Sequence, residues 1–298
     1  MSRDIPRKTQ LRTAFAAVIL ACGGFLAPAA ADGPSAIRGA YLAGAAGCDQ
    51  CHTDTEHGGR PYAGGRALET RHGTVFTPNI TPDWGTGIGR WQLGDFEQAL
   101  RWGIGPDGSH YLPAFPFLFY NRLVHDDVVD LNAFLGGLRA VSQVNRTAGP
   151  TLFSAARAAI TVVAEDFPGP WQPDATKDAA WDRGAYLVAT IGRCGDCHTP
   201  RNWLGTPEPA RLLAGTPAVG GKTVPNITPD SETGIGKWSI EEIVILLKDG
   251  QTPDFDFVGG AMAEIVRNTA RLTDADRRAI AVYLRSLPAI HSSARVTQ

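Results

Sequence analysis

The chain has 298 residues, 43% of them hydrophobic and 19% charged, with a formal net charge of −2. That is enough apolar chain for ordinary buried cores, about two domains' worth, and it excludes a disordered tail or a coiled coil. Glycine (34) and proline (21) together make 55 residues, about 18% of the chain where roughly 12% is usual, which predicts short elements joined by much irregular chain.

In chain order, the first segment is a targeting sequence. Met1 to Arg12 carries Arg3, Arg7, Lys8 and Arg12 against Asp4, Thr13 to Leu26 is uncharged and mostly apolar, and Ala29-Ala30-Ala31 fits a small-residue cleavage site. Residues 1–31 therefore read as a secretory signal peptide cut before Asp32, which places the mature protein in the periplasm. An uncut membrane anchor is the alternative, since the apolar run is nearly long enough to span a bilayer. Cleavage removes Cys22, one of five cysteines, and leaves a net charge of about −5. Nucleic acid is excluded as a partner on that charge.

The remainder is an internal repeat. Arg38-Gly-Ala-Tyr41-Leu42 recurs as Arg183-Gly-Ala-Tyr186-Leu187, Asn79-Ile-Thr-Pro-Asp83 as Asn226-Ile-Thr-Pro-Asp230, and Thr86-Gly-Ile-Gly-Arg-Trp91 as Thr233-Gly-Ile-Gly-Lys-Trp238. The offset drifts only from 145 at the tyrosines to 147 at the tryptophans, as in a duplicated domain. The pattern predicts a first domain over 32–142, a linker over 143–178, a second domain over 179–290 and a polar tail over 291–298.

Each copy opens with a helix, from near Ile37 and near Asp182. A second helix follows the tryptophan: Ser239-Ile-Glu-Glu242 is a capping-box pattern, and Asp95 to Trp102 is its weaker counterpart. A third closes each copy, with Val128, Leu131, Phe134, Leu135 and Leu138 at helical spacing in the first and Ile280, Tyr283, Leu284 and Leu287 in the second. The first and last helices of each copy are expected to cross at Gly39 and Gly184. No alternating strand pattern is visible, so the fold class is all-α. Phe167-Pro-Gly-Pro-Trp-Gln-Pro173 reads as rigid connector, and Leu152 to Val163 as a short helix within the linker.

The chemistry lies in Cys48-Asp-Gln-Cys51-His52 and Cys194-Gly-Asp-Cys197-His198. A CxxC pair alone fits a redox dithiol, half a zinc site or a haem attachment site, and the histidine that follows favours the last. On one helical turn the two cysteines and the histidine share a face. They can present two thioethers and one axial imidazole to a single macrocycle, so two covalent haem c groups are expected.

Cys194-Gly-Asp-Cys197-His198-Thr-Pro-Arg-Asn202, the repeated Asn-Ile-Thr-Pro-Asp…Thr-Gly-Ile-Gly-x-Trp and Pro113-Ala-Phe-Pro116 resemble the multihaem cytochrome c subunits of bacterial membrane-bound alcohol, gluconate, sorbitol and aldehyde dehydrogenases. The resemblance runs from Ile37 to Leu287. It implies two tandem class I cytochrome c domains, each wrapped around a haem, and electron transfer from a periplasmic or membrane-bound dehydrogenase to another cytochrome or an oxidase. Many members carry a third CxxCH domain and a C-terminal membrane-binding segment. This chain ends at Gln298 after a short polar stretch, so direct quinone reduction is not implied.

A class I domain supplies the sixth iron ligand as a methionine between its third and last helices. Met262, in Gly259-Gly-Ala-Met262, suits the second haem. In the first copy the equivalents are Phe115 or Leu123, neither of which binds iron. The candidates there are His110, then His125, then His57 or His72, or else an open position. Trp91, Trp238, Asn79 and Asn226 are candidate donors to haem propionates. The Pro200 carbonyl is the expected partner of the His198 ring, and Asp54 holds the corresponding place in the first copy. The principal expectation is a dihaem electron carrier without catalysis of its own. The alternative is a peroxidase-like enzyme with an open first haem.

Overall fold

The computed structural model describes residues 33–70, 73–112, 114–146, 168–202, 207–219 and 222–294. The segment read as a signal peptide, the stretch 152–163 expected to be helical and His72 lie outside them. Helix α1 (Ala36–Ala46) starts at Ser35, whose side chain accepts from the Arg38 N–H, and stops at Gly47 in the left-handed conformation. Its counterpart α6 (Ala179–Ala189) starts three residues earlier than Asp182, because Asp178 caps it by accepting from the Trp181 N–H. Attachment helices α2 (Cys48–Cys51) and α7 (Cys194–His198) follow at once. The post-tryptophan helices are α3 (Leu93–Trp102) and α8 (Ile240–Asp249). The Ser239 capping box is formed in full, with Glu242 N–H donating to Ser239 Oγ at 3.2 Å and Ser239 N–H to Glu242 at 2.7 Å. Next come α4 (Phe117–Tyr120) and α9 (Gly260–Thr269), then the closing helices α5 (His125–Gly136) and α10 (Asp274–Ser286).

The first and last helices of each copy cross where expected. A β-carbon on Gly39 would stand 2.0 Å from the Asp130 carbonyl oxygen, and one on Gly184 2.0 Å from that of Ala279. Phe134 and Tyr283 flank the two crossings.

The all-α expectation needs correction. The protein is mostly helical, with two antiparallel hairpins: β1 (Ala67–Thr70) with β2 (Gly73–Phe76), and β3 (Thr216–Val219) with β4 (Lys222–Val224). Strands of three or four residues are too short to establish a period of two, and their role is to pair backbone groups within the long loop after each attachment motif.

The two copies pack as one compact unit, Pro34–Gln298, and one apolar cluster runs through both, from Leu42, Leu123 and Val128 to Leu187, Ile243 and Ile280. The polar contacts between copies are reciprocal. Tyr41 donates to Asp276 at 2.6 Å, and Tyr186 donates to Asp127. Each carboxylate is also gripped by the arginine of its own copy: Arg183 binds Asp276 at 2.7 and 2.9 Å, and Arg38 stands 3.7 Å from Asp127 and bonds to Asp130. Residues 168–178 fold against this region rather than standing clear as a connector. Trp171 N–H donates to the Arg122 carbonyl at 2.9 Å, and its ring lies 4.5 Å from the Arg122 guanidinium.

The two carboxylates respond differently. Burial pushes Asp127 above the ordinary carboxylate range despite the Tyr186 bond and the Arg38 charge. Burial also pushes Asp276 up, but the bonds from Arg183 and Tyr41 outweigh it and hold the group below that range. A depressed carboxylate stabilises the fold above its unfolded value of about 3.9 and loses that contribution as pH falls through its folded value. Asp276→Asn is expected to cost about 2 kcal/mol at pH 7, the value of hydrogen bonds to a charged group. It should also flatten the loss of stability below about pH 4, as followed by urea unfolding across a pH series.

Candidate haem-attachment sites

In both motifs the helical turn places the cysteines and the histidine on one side, and a proline carbonyl fixes the ring. His52 Nδ1 lies 2.8 Å from the Pro78 oxygen and His198 Nδ1 2.7 Å from the Pro225 oxygen. A carbonyl only accepts, so Nδ1 carries the proton and Nε2 presents its lone pair, the tautomer an axial iron ligand needs. Burial lowers both imidazole pKa values, and the carbonyl bond pulls the other way. The expected Pro200 partner is wrong: its oxygen accepts from the Glu208 N–H at 2.9 Å. The signal for the right residue lay in the repeat itself, since Pro78 and Pro225 immediately precede Asn79 and Asn226. In the first copy Asp54 turns to exposed His57, 3.0 Å away.

The surroundings of Cys48 and Cys194 do not favour a thiolate. Burial pushes Cys48 up to about 12 and Cys194 up to about 11, and raises Cys197 as well. Reactive dithiols need the opposite shift. Among the described residues no cluster of three or more His, Cys, Asp or Glu side chains could hold a metal ion. Two unbridged thiols beside an imidazole with a free Nε2 fit covalent haem.

Asn79 and Asn226 prove to be fasteners rather than propionate donors. Asn79 Nδ2 donates to the Val141 carbonyl at 2.7 Å and to Thr86 at 3.1 Å, while its oxygen accepts from Thr81. Asn226 repeats the arrangement with Ile290, Thr233 and Thr228. Both amide hydrogens are therefore engaged within the protein, tying the Asn-Ile-Thr-Pro-Asp turn to the end of its own copy. Trp91 and Trp238 are half-buried against the core. Trp91 also lines a crevice of about 420 Å³ with Pro78, Ile80, Ile88 and Tyr111, and with the polar residues Asn79, Asp107, Ser109 and Asn145.

Met262 is half-buried in the first turn of α9, not in a loop as expected. Equivalent hydrogen bonds align the copies here: Tyr111 N–H donates to the Gly103 carbonyl at 2.6 Å, and Val258 N–H to the Gly250 carbonyl at 3.0 Å. That register sets Phe115 opposite Met262, and Leu123 is instead fully buried in the core before α5, as Leu272 is before α10. Phe115 packs edge-on against Tyr111 and Tyr120, both at 5.9 Å. His110 is half-buried and bridges to Ile104 at the base of the turn. Its neighbours Ser109 and Tyr111 line the crevice and His110 does not, as alternation along an extended segment dictates. The ring of His125 stands 3.4 Å from Glu97 and is 61% exposed, and that of His57 is 76% exposed.

The two attachment helices also meet the opposite copy reciprocally. On the first, Gln50 bonds to the Glu264 carbonyl at 3.1 Å and to Asn268 at 3.0 Å, and Asp49 pairs with Arg271 at 2.8 Å. All three partners belong to α9 or the turn after it. On the second, Gly195 approaches Phe119 of α4, and Arg193 approaches the Tyr120 ring at 5.9 Å.

No family model matches the chain. It is 41% identical over 260 residues to a diheme cytochrome c-type protein of Cereibacter sphaeroides, covering 86% of this chain and 86% of that one. It is 41% identical over 269 residues to the fructose dehydrogenase cytochrome subunit of Gluconobacter japonicus, and 37% identical over 288 residues to the cytochrome c subunit of a quinone alcohol dehydrogenase of Gluconobacter oxydans. The matches span 54% and 60% of those two subunits, little more than half their length. With paired CxxCH helices, each histidine ring held by a proline carbonyl, and this extent of identity, the chain belongs to the family of dihaem c-type cytochromes and dehydrogenase cytochrome c subunits.

Proposed function

We propose that the protein is an exported dihaem electron carrier, reduced by a dehydrogenase at the periplasmic face and oxidised by another cytochrome or an oxidase. As a c-type cytochrome it binds haem c covalently and transfers electrons. Haem supplies a one-electron couple, and the chain's residues attach, orient and shelter it. Cys48, Cys51, Cys194 and Cys197 provide the thioethers, His52 and His198 the proximal ligands, and Met262 the distal ligand of the second site. The observation that carries the reading is the duplicated imidazole geometry, each Nδ1 held by the same proline carbonyl of a repeated motif. Two such sites in one compact unit suit relay between partners, and kinship with dehydrogenase subunits supports a dehydrogenase as donor. Among the described residues no helix is long and apolar enough to cross a membrane.

Methionine sulfur raises a haem potential relative to ligation without it. Potentiometric titration of the holoprotein is expected to resolve two one-electron couples, with the Met262 site at the higher potential. Equal or inverted potentials would remove this ordering. Sustained turnover of hydrogen peroxide would overturn the carrier in favour of the peroxidase-like alternative, for which the relatives give no support.

A further inference from the structure

The two attachment helices begin from the same unusual backbone conformation with different residues. Gly47 precedes Cys48 at φ 70°, and Arg193 precedes Cys194 at φ 48°. Glycine adopts the left-handed region freely, whereas any β-carbon makes it strained. In the first copy glycine avoids that strain and leaves room for the Asn268 amide, whose Nδ2 would lie 2.4 Å from a β-carbon. In the second copy the strain is retained in order to carry an arginine.

The placement of that arginine gives the strain a purpose. Its Nε–H is buried without a partner. Its nearest carboxylate, Asp196, stands 3.8 Å away and is held more closely by Arg201, at 2.6 Å. The guanidinium reaches across the interface to the Tyr120 ring of the first copy. Arg193 directly precedes Cys194, and the Tyr120 ring that it reaches belongs to the apolar cluster against which Cys48 and Cys194 both pack. The acidic residue of the first motif, Asp49, is paired with Arg271, which leaves Arg193 as an incompletely balanced cation within reach of both cysteine pairs.

We propose that Arg193 is a shared electrostatic lever, a cation set within reach of the cysteines of both motifs that raises the electron affinity of both attached groups. The proposal rests on the reading that both motifs carry haem c. Reduction adds one electron at each site, taken in a titration from a mediator at the electrode. A fixed positive charge in a poorly polarisable surrounding favours the form that has gained it. The same charge offsets the repulsion between the two electrons when both sites are filled.

The test uses the full-length holoprotein. Mass spectrometry of the denatured chain first counts covalent haems, and fewer than two refutes the haem reading without touching Arg193. With two present, mediated titrations compare wild type with Arg193→Gly, Arg193→Gln and Arg193→Lys. The neutral variants are expected to lose about tenfold in electron affinity at both sites, about 59 mV for a one-electron couple, and Arg193→Lys to retain most of it. Arg193→Gly should melt no lower than wild type, because it relieves the left-handed strain, so a purely structural role would leave the potentials unmoved. Arg193→Gln carries the same expectation should the glycine variant fail to fold. Unchanged potentials in the neutral variants, or a fall confined to the second site, would overturn the proposal.

Discussion

Met262→Ala is expected to abolish all of the far-red methionine–iron charge-transfer absorption of the oxidised holoprotein, not half of it. The chain contains two methionines, Met1 and Met262, and the first copy places Phe115 where the second places Met262. Met1 belongs to the segment read as a signal peptide, so no second methionine sulfur is expected to sustain a residual signal. The variant should remain folded, since Met262 is half-buried in the first turn of α9 and makes no part of the buried cluster. The higher of the two potentials should fall with the loss of the sulfur ligand. Absorption spectra of the oxidised protein before and after the substitution check this directly, and a surviving methionine band would refute the assignment.

Gly184→Ala is expected to be among the most damaging single substitutions available in this protein. Its new methyl group would meet backbone, the Ala279 oxygen at 2.0 Å and carbon at 2.5 Å, and then the Tyr283 β-carbon at 2.9 Å. None of these is the free end of a flexible side chain, so α6 and α10 must separate. Their crossing anchors the chain that leads into Cys194. Overpacking of this kind costs about 3 kcal/mol or more, a large fraction of the stability of a typical domain. Gly39→Ala should behave alike, with the Asp130 oxygen at 2.0 Å. Gly136→Ala is the control: nothing lies within 4 Å of its added methyl group, and it should be neutral or stabilise slightly. Urea unfolding of the three variants and their haem content after expression provide the measurement. Equal stability of Gly184→Ala and Gly136→Ala would show that the crossing tolerates a β-carbon.

The sequence revealed those features whose causes are local. Ser239 and Glu242 cap α8 because the capping box needs only four consecutive residues. Gly39 and Gly184 were legible because duplication placed each beside a tyrosine and opposite an aromatic residue of the last helix. What depends on distant chain was misread. An asparagine repeated beside a haem motif suggests a ligand contact, yet Asn79 and Asn226 turn inward to Val141 and Ile290, more than sixty residues away in sequence. The proximal carbonyl was sought next to His198 when it lies at Pro225, and the hairpins were too short to carry a period. Arg193 was invisible because its significance lies in a backbone angle and in a neighbour from the other copy.

The reciprocal tyrosines have a meaning for how such a chain assembles. Tyr41 reaching Asp276 while Tyr186 reaches Asp127 is the pattern of a two-fold isologous contact, in which one patch is complementary to itself. A polypeptide carrying a single copy would present that patch to a second molecule of its own kind and would pair only as concentration allowed. Joining the copies in one chain makes the encounter intramolecular, at an effective concentration on the order of millimolar, so the pairing of the two CxxCH motifs no longer depends on how much protein the cell makes. Duplication also released the two halves from identity: arginine could replace glycine ahead of one motif, and methionine could be kept in one copy and lost in the other. A symmetric dimer of identical chains could hold neither difference.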